Sequence, residues 1–221
     1  MTYTEFMVFV MEMVGTIAFA SSGAMVGIKK NMDIFGVNVL GITTAIGGGI
    51  IRDLILGITP PSVFRNYIYV TISILISCIL FLIIYIKNEI LSSQFLEHYE
   101  QIMILFDAIG LGIFTVVGIN TAINMGIEDN IFLLTFVGVV TGIGGGMIRD
   151  IMAGVTPFVL VKHVYASASI IGAISYILFI KLEIDNILSM VLSSLIVIAI
   201  RIASAKYKWN LPKIKKGSVA K

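Results

Sequence analysis

Apolar residues in this chain neither alternate nor keep to one face. They fill seven continuous runs, at roughly 5–27, 35–58, 62–86, 102–124, 131–154, 158–180 and 186–206. Each run is close to the ~20 residues that a membrane-spanning helix needs. Lipid offers backbone N–H and C=O groups no partner, so a spanning segment is a helix or part of a closed barrel. Barrel strands alternate apolar and polar positions, and these runs do not. The pattern predicts seven transmembrane helices that consume nearly all of the 221 residues. The expected fold class is an all-α membrane protein, with no room for a soluble catalytic domain.

Composition agrees, at 58% hydrophobic and 13% charged, about half the charged share of an ordinary soluble domain. The single cysteine, Cys78, excludes an intrachain disulfide or a thiolate metal site and reads as a buried small hydrophobe. Residues 1–6 carry no Lys or Arg, whereas a signal peptide opens on positive charge, so the first run is expected to be a retained helix. The basic tail (Lys206, Lys208, Lys213, Lys215, Lys216, Lys221) is a topology signal rather than a nucleic-acid site, and no nucleic-acid partner is expected. Those lysines place the C-terminus in the cytoplasm, and seven crossings then put the N-terminus outside. Lys29, Lys30 and Lys87 fall in cytoplasmic loops, and the loop with Glu128 and Asp129 falls outside. Lys181 is the exception, offset by Glu183 and Asp185. The expected location is the cell membrane, as a multi-pass protein.

The chain repeats itself. Gly47-Gly-Gly-Ile-Ile-Arg-Asp53 recurs as Gly144-Gly-Gly-Met-Ile-Arg-Asp150, each followed by a glycine (Gly57, Gly154) and a Thr-Pro pair (Thr59-Pro60, Thr156-Pro157), all at an offset of 97. Upstream, Glu12-x-x-Gly15-x-x-x-Phe19-x-x-x-Gly23 matches Asp107-x-x-Gly110-x-x-x-Phe114-x-x-x-Gly118 at an offset of 95. Spans 1–3 and 4–6 therefore read as copies. A three-span unit crosses an odd number of times, so its second copy is inverted, a plan that places transport sites near the membrane midplane. The expected organisation is a first repeat over residues 1–90, an inverted second repeat over 91–182, and a seventh helix with the basic tail over 183–221.

These doubled motifs and the 3+3+1 layout resemble prokaryotic members of the trimeric intracellular cation (TRIC) channel family, over nearly the whole chain. The resemblance implies a homotrimer in membrane lipid, with a separate ion path in each protomer for monovalent cations, chiefly potassium. Related bacterial sequences also carry a glycine-transporter label, which leaves a carrier for a small solute such as glycine as the alternative. The longer tail of the animal members is missing, as is a Lys-Glu-Gly-Gly-like stretch after spans 2 or 5, so control by calcium or phosphoinositide is not implied.

Glycine costs about 1 kcal/mol against alanine inside a helix. Two triplets, Gly47, Gly48, Gly49 and Gly144, Gly145, Gly146, are therefore expected to break spans 2 and 5 in mid-membrane. Carbonyls freed by a break must face protein or water, and such carbonyls are cation ligands in filters and transporters. Gly23-x-x-x-Gly27 and Gly138-x-x-x-Gly142 read instead as close helix packing. The triplet at 144–146 is no dinucleotide motif, since no strand precedes it.

Charges lie deep inside spans 1, 2, 4 and 5: Glu12, Arg52, Asp53, Asp107, Arg149 and Asp150. Each costs roughly 2.5–3.5 kcal/mol at a helix centre, so they must be paired or wet. Neighbours at i and i+1 do not face one another on a helix. Arg52 is thus expected to leave Asp53, and Arg149 to leave Asp150, for an acid across the repeat or on span 1 or 4. The network can fix the fold, gate a pore, or both. Thr16, Ser21, Ser22, Thr43 and Thr44, answered by Thr115, Asn120, Thr121 and Thr141, offer oxygen ligands suited to hard monovalent cations, although each alone also suits a helix–helix hydrogen bond. Thr59-Pro60 and Thr156-Pro157 look like an N-cap with proline at N1. Arg65 and Lys162 occupy equivalent places where a cation snorkels, contacts headgroups or guards a pore mouth, and Tyr207 and Trp209 suit an interfacial belt. His98 and His163 show no metal spacing, and no nucleophile–base motif appears, so neither cofactor nor enzyme activity is expected.

Overall fold

The computed structural model describes the backbone of residues 2–87, 93–161 and 164–209. Among these residues it contains α1 (Tyr3–Lys29), α2 (Ile34–Ile55), α3 (Ser62–Arg65), α4 (Ile68–Lys87), α5 (Ser93–Asn124), α6 (Ile131–Met152), α7 (Phe158–Val161), α8 (Ala166–Lys181) and α9 (Asn186–Lys206). Six of them, α1, α2, α4, α5, α6 and α9, are long and apolar enough to cross a bilayer. The seventh apolar helix, α8, has 16 residues, about 24 Å at 1.5 Å per residue, and is short of a ~30 Å hydrocarbon core.

Helix starts follow local chemistry. Asp33, Asn130 and Asp185 accept N–H bonds at 2.7, 2.9 and 3.0 Å from Gly36, Leu133 and Leu188, and Thr2 with Glu5 forms a capping box. Helices α1, α2, α5 and α6 form the centre, α4 lies against α1 and α2, and α8 and α9 lie against α5. Helices α1 and α5 run in opposite directions: Phe114 abuts Gly15, Phe19 abuts Gly110, and the Tyr99 hydroxyl donates to the Met25 carbonyl. Helices α2 and α6 are also antiparallel, with Gly47 against Ile148 and Gly144 against Ile51.

Two expectations are corrected. Helices α2 and α6 continue unbroken through residues 47–49 and 144–146, so the triplets free no carbonyls. Their glycines serve close approach instead: a Cβ on Gly48 would strike the Thr141 carbonyl oxygen, and one on Gly145 the Thr44 carbonyl oxygen. The two helices cross backbone to backbone, which removes the free-energy reason to break either one. The interruptions fall in the third and sixth spans, where the four-residue turns α3 and α7 are set apart from α4 and α8. The Thr-Pro pairs do not open those spans as cap and N1, because α3 begins at Ser62 after Pro61 and α7 at Phe158 after Pro157.

Both glycine-marked ends have one geometry. Gly57 and Gly154 take φ of +74° and +66°. After each, an N–H returns to an aspartate carbonyl, Ile58 to Asp53 at 2.8 Å and Val155 to Asp150 at 2.9 Å, which is a Schellman ending. A Cβ there has open space, so only the backbone conformation opposes it. Gly154→Ala is expected to destabilise the protein by about 1–2 kcal/mol, read as a lower midpoint of thermal unfolding in detergent, with Gly57→Ala alike.

Candidate functional site

The Schellman endings place two aspartates at the foot of two equivalent helices, and a charge cluster grows on each. In the first copy, Arg52 donates from Nε to Asp53 Oδ1 at 2.8 Å, with Nη2 also at 2.8 Å. The other oxygen of Asp53 accepts the Ser62 N–H at 2.6 Å, satisfying a free donor of α3. The expectation that Arg52 leaves Asp53 is therefore overturned. Because Asp53 is held sideways by the turn it caps, the arginine stem can bridge the angle between adjacent positions. Glu12 on α1 takes no arginine in this cluster; it accepts a hydrogen bond at 2.5 Å from the Tyr69 hydroxyl on α4.

The second copy repeats this plan with more partners. Arg149 Nε donates to Asp150 Oδ1 at 2.9 Å, and Asp150 Oδ2 accepts the Phe158 N–H at 2.8 Å. Here too the adjacent aspartate is paired, against expectation, while Nη1 also reaches Asp107 Oδ1 on α5 at 2.8 Å and Ser22 Oγ on α1 at 2.5 Å. The Tyr165 hydroxyl donates to Asp107 Oδ1 at 3.1 Å. From α9, Arg201 sets Nη2 3.7 Å from Asp107 Oδ2 and stacks its guanidinium 4.5 Å from the Tyr165 ring centre.

Equivalent parts thus sit in unequal surroundings. Arg149 and Asp107 are 0% exposed. The first cluster opens on a cavity of about 60 Å³ lined by Glu12, Thr16, Gly49, Arg52, Tyr69 and Phe114, with room for a few water molecules. Phe114, on the cavity lining, packs against Phe19 with ring centres 5.3 Å apart and planes tilted by 34°. These two phenylalanines are the equivalent aromatics of the duplicated motif, meeting where α1 and α5 cross.

The hydroxyls expected along an ion path are distributed. Thr16 lines the cavity and Ser22 accepts from Arg149. Ser21, Thr43, Thr44, Thr121 and Thr141 donate to carbonyls one turn back in their own helices, at 2.5–2.9 Å. Thr115 does the same and also meets Ser169 Oγ at 2.7 Å. Asn120 Oδ1 accepts from Tyr176 and Asn186 at 3.2 and 3.0 Å, joining α5, α8 and α9. Of the triplet glycines, Gly49 lies on the cavity, and Gly146 faces Tyr165 and Arg149. Arg65 donates to the Thr59 carbonyl at 2.9 Å, and Tyr207 stacks on Trp209 at 6.3 Å just past α9. Lys162, His163, the His98 side chain and the tail lysines from Lys213 onward lie outside the described residues. Among the described residues, no group of three His, Cys, Asp or Glu could hold a metal ion.

Three site residues are new relative to the sequence reading. Tyr69 and Tyr165 are equivalent but 96 apart, out of register with the 97-residue offset. The loop from Asp150 to its capped N–H is one residue shorter than the loop from Asp53. Arg201 belongs to neither copy. Its signal was an arginine inside an otherwise apolar seventh run, a position that demands a partner.

The chain is similar to known membrane proteins in both sequence and backbone. The family described as "Glycine transporter" matches residues 9–85 and 104–181. The UPF0126 inner membrane protein YadS of Escherichia coli is 34% identical over 211 residues, covering 93% of this chain and 95% of that protein. A structure solved to explain conductance through TRIC cation channels aligns with a TM-score of 0.80 at 35% identity, over 95% of this chain and 98% of that one. A prokaryotic TRIC channel crystallised in 0.5 M KCl aligns with a TM-score of 0.82 at 31% identity, over 94% and 100%.

Proposed function

This chain belongs to the glycine transporter family of integral membrane proteins, within the fold of the prokaryotic TRIC channels, and we propose on that premise that it is a channel for monovalent cations, chiefly potassium. Each protomer of a homotrimer carries its own path, along the antiparallel pairs α1/α5 and α2/α6. The seven apolar helices are two inverted three-helix repeats plus α9, supported by those antiparallel pairs and by a family match that falls in two segments. The basic tail faces the cytoplasm and the N-terminus lies outside.

The observation that carries this function is the first cluster. One arginine, Arg52, stands there against two carboxylates, Asp53 and Glu12, on a cavity large enough for water. An excess of acid in a low-dielectric recess concentrates cations. The Phe19–Phe114 pair is the constriction that closes the path beyond the cavity, as apolar constrictions do by excluding water.

Purified protein in vesicles with a potassium gradient tests this function through potassium flux. Glu12→Gln is expected to lower the flux severalfold, since it removes the excess charge at the mouth. Phe114→Ala is expected to raise resting flux. Flux unchanged by both substitutions contradicts this path. The family description also supports a glycine carrier, because Arg52 and Glu12 share one cavity and carry the charges a zwitterion needs. Saturable glycine uptake without potassium flux would favour that carrier.

A further inference from the structure

We propose that Arg201 is a specificity-determining residue of the channel function inferred above, on which this rests: it cancels the acid excess of the second cluster and leaves the first cluster as the cation-concentrating mouth.

The two clusters are built from equivalent parts. In the first, Arg52 stands against Asp53 and Glu12, while Arg65 turns away to the Thr59 carbonyl. In the second, Arg149 stands against Asp150 and Asp107 and bonds both, whereas Arg52 bonds Asp53 alone. Without α9, both clusters hold two carboxylates to one arginine, and both attract cations. Arg201 enters only the second, and among the described residues makes it two against two. Helix α9 packs chiefly on α5 and α8, and its arginine reaches Asp107 of the second copy. The unequal environments agree with this. Tyr69 borders a cavity, whereas Tyr165 lies beneath the Arg201 guanidinium.

The geometry marks Arg201 as a charge rather than a fastener. Its Nε and the Asp107 Oδ2 are both buried without a hydrogen-bond partner, and the pair stands at 3.7 Å. Arg149 already supplies a 2.8 Å bond to Asp107, so Asp107 keeps a partner when Arg201 is removed. The two clusters also serve opposite faces. Arg149 and Arg201 lie near the C-terminal ends of α6 and α9, beside Asp107 in the first half of α5, while Glu12 and Arg52 lie towards the start of α1 and the end of α2. A charge change in the second cluster therefore acts on cations entering from the face where α9 ends.

Current–voltage recording of the full chain in planar bilayers with symmetric KCl reads this directly. Arg201→Gln restores the excess acid and is expected to raise cation current entering from the α9-end face about two- to tenfold. Asp107→Asn leaves two arginines against one carboxylate and is expected to lower that current by a similar factor. A purely structural role moves both variants the same way, so opposite shifts support the assignment. Equal or unchanged currents in both variants overturn it. If Arg201→Gln does not assemble, Asp107→Asn is paired with Asp107→Glu, which keeps the charge: a current lowered by Asn and kept by Glu supports the proposal, and one changed by both or by neither overturns it. A silent wild type overturns the channel function and this proposal with it, whereas a conducting wild type with same-direction shifts overturns this proposal alone.

Discussion

Gly145→Ala and Gly48→Ala are each expected to leave little folded protein in detergent, while Gly49→Ala, one position along, is expected to fold. A Cβ on Gly145 meets the Thr44 carbonyl, and a Cβ on Gly48 meets the Thr141 carbonyl. Overpacking typically costs about 1–3 kcal/mol when side chains can move aside. Here the obstacles are backbone oxygens of the facing helix, so α2 and α6 must separate along the crossing. Gly49 has only the Arg52 Nη2 nearby, at 4.0 Å, and alanine there recovers up to about 1 kcal/mol of helix propensity. Size-exclusion profiles and thermal unfolding of the three variants check the contrast. Equal tolerance of all three would mean that the triplets are not a contact surface.

Arg149→Ala is expected to be the most damaging change among the charges. Breaking a buried pair from one side costs about 3–5 kcal/mol, a large share of a typical total of about 5–15 kcal/mol. Arg149 serves Asp150, Asp107 and Ser22 together, at full burial. Arg52→Ala should cost less, because its partner borders a cavity that water can enter. The pairing further predicts that Arg52→Ala is rescued best by Asp53→Asn, which keeps an oxygen for the Ser62 N–H, and not by neutralising Asp107 or Asp150. Thermal midpoints of the single and double variants measure this. Rescue by Asp107→Asn instead would mean that Arg52 pairs across the repeat.

The long helices were legible because a bilayer leaves little choice: an apolar run of spanning length must be helical, and α9 coincides with the expected run at 186–206. The doubled motifs in the sequence led to the charge clusters. What the glycines do was not legible. A triplet that breaks a helix and a triplet that lets two helices touch use the same residues, and only the partner opposite, Thr141 or Thr44, separates the two. The Arg52–Asp53 pair was misjudged because residue spacing describes a helix interior. Asp53 sits in a Schellman ending, where its second oxygen is committed to the next turn. Tyr69 and Tyr165 escaped notice because one residue of loop length put them out of register. Arg201 escaped because a search for repeated charges passes over a charge without a copy.

The proposed function requires cations to move through each protomer down their gradient. Single-channel recording of the purified wild-type chain in a planar bilayer, with KCl more concentrated on one side, measures this most directly. Discrete unitary openings, with a reversal potential close to that of a potassium-selective path, are the predicted result. A membrane that stays electrically silent while the same preparation takes up glycine saturably would contradict it.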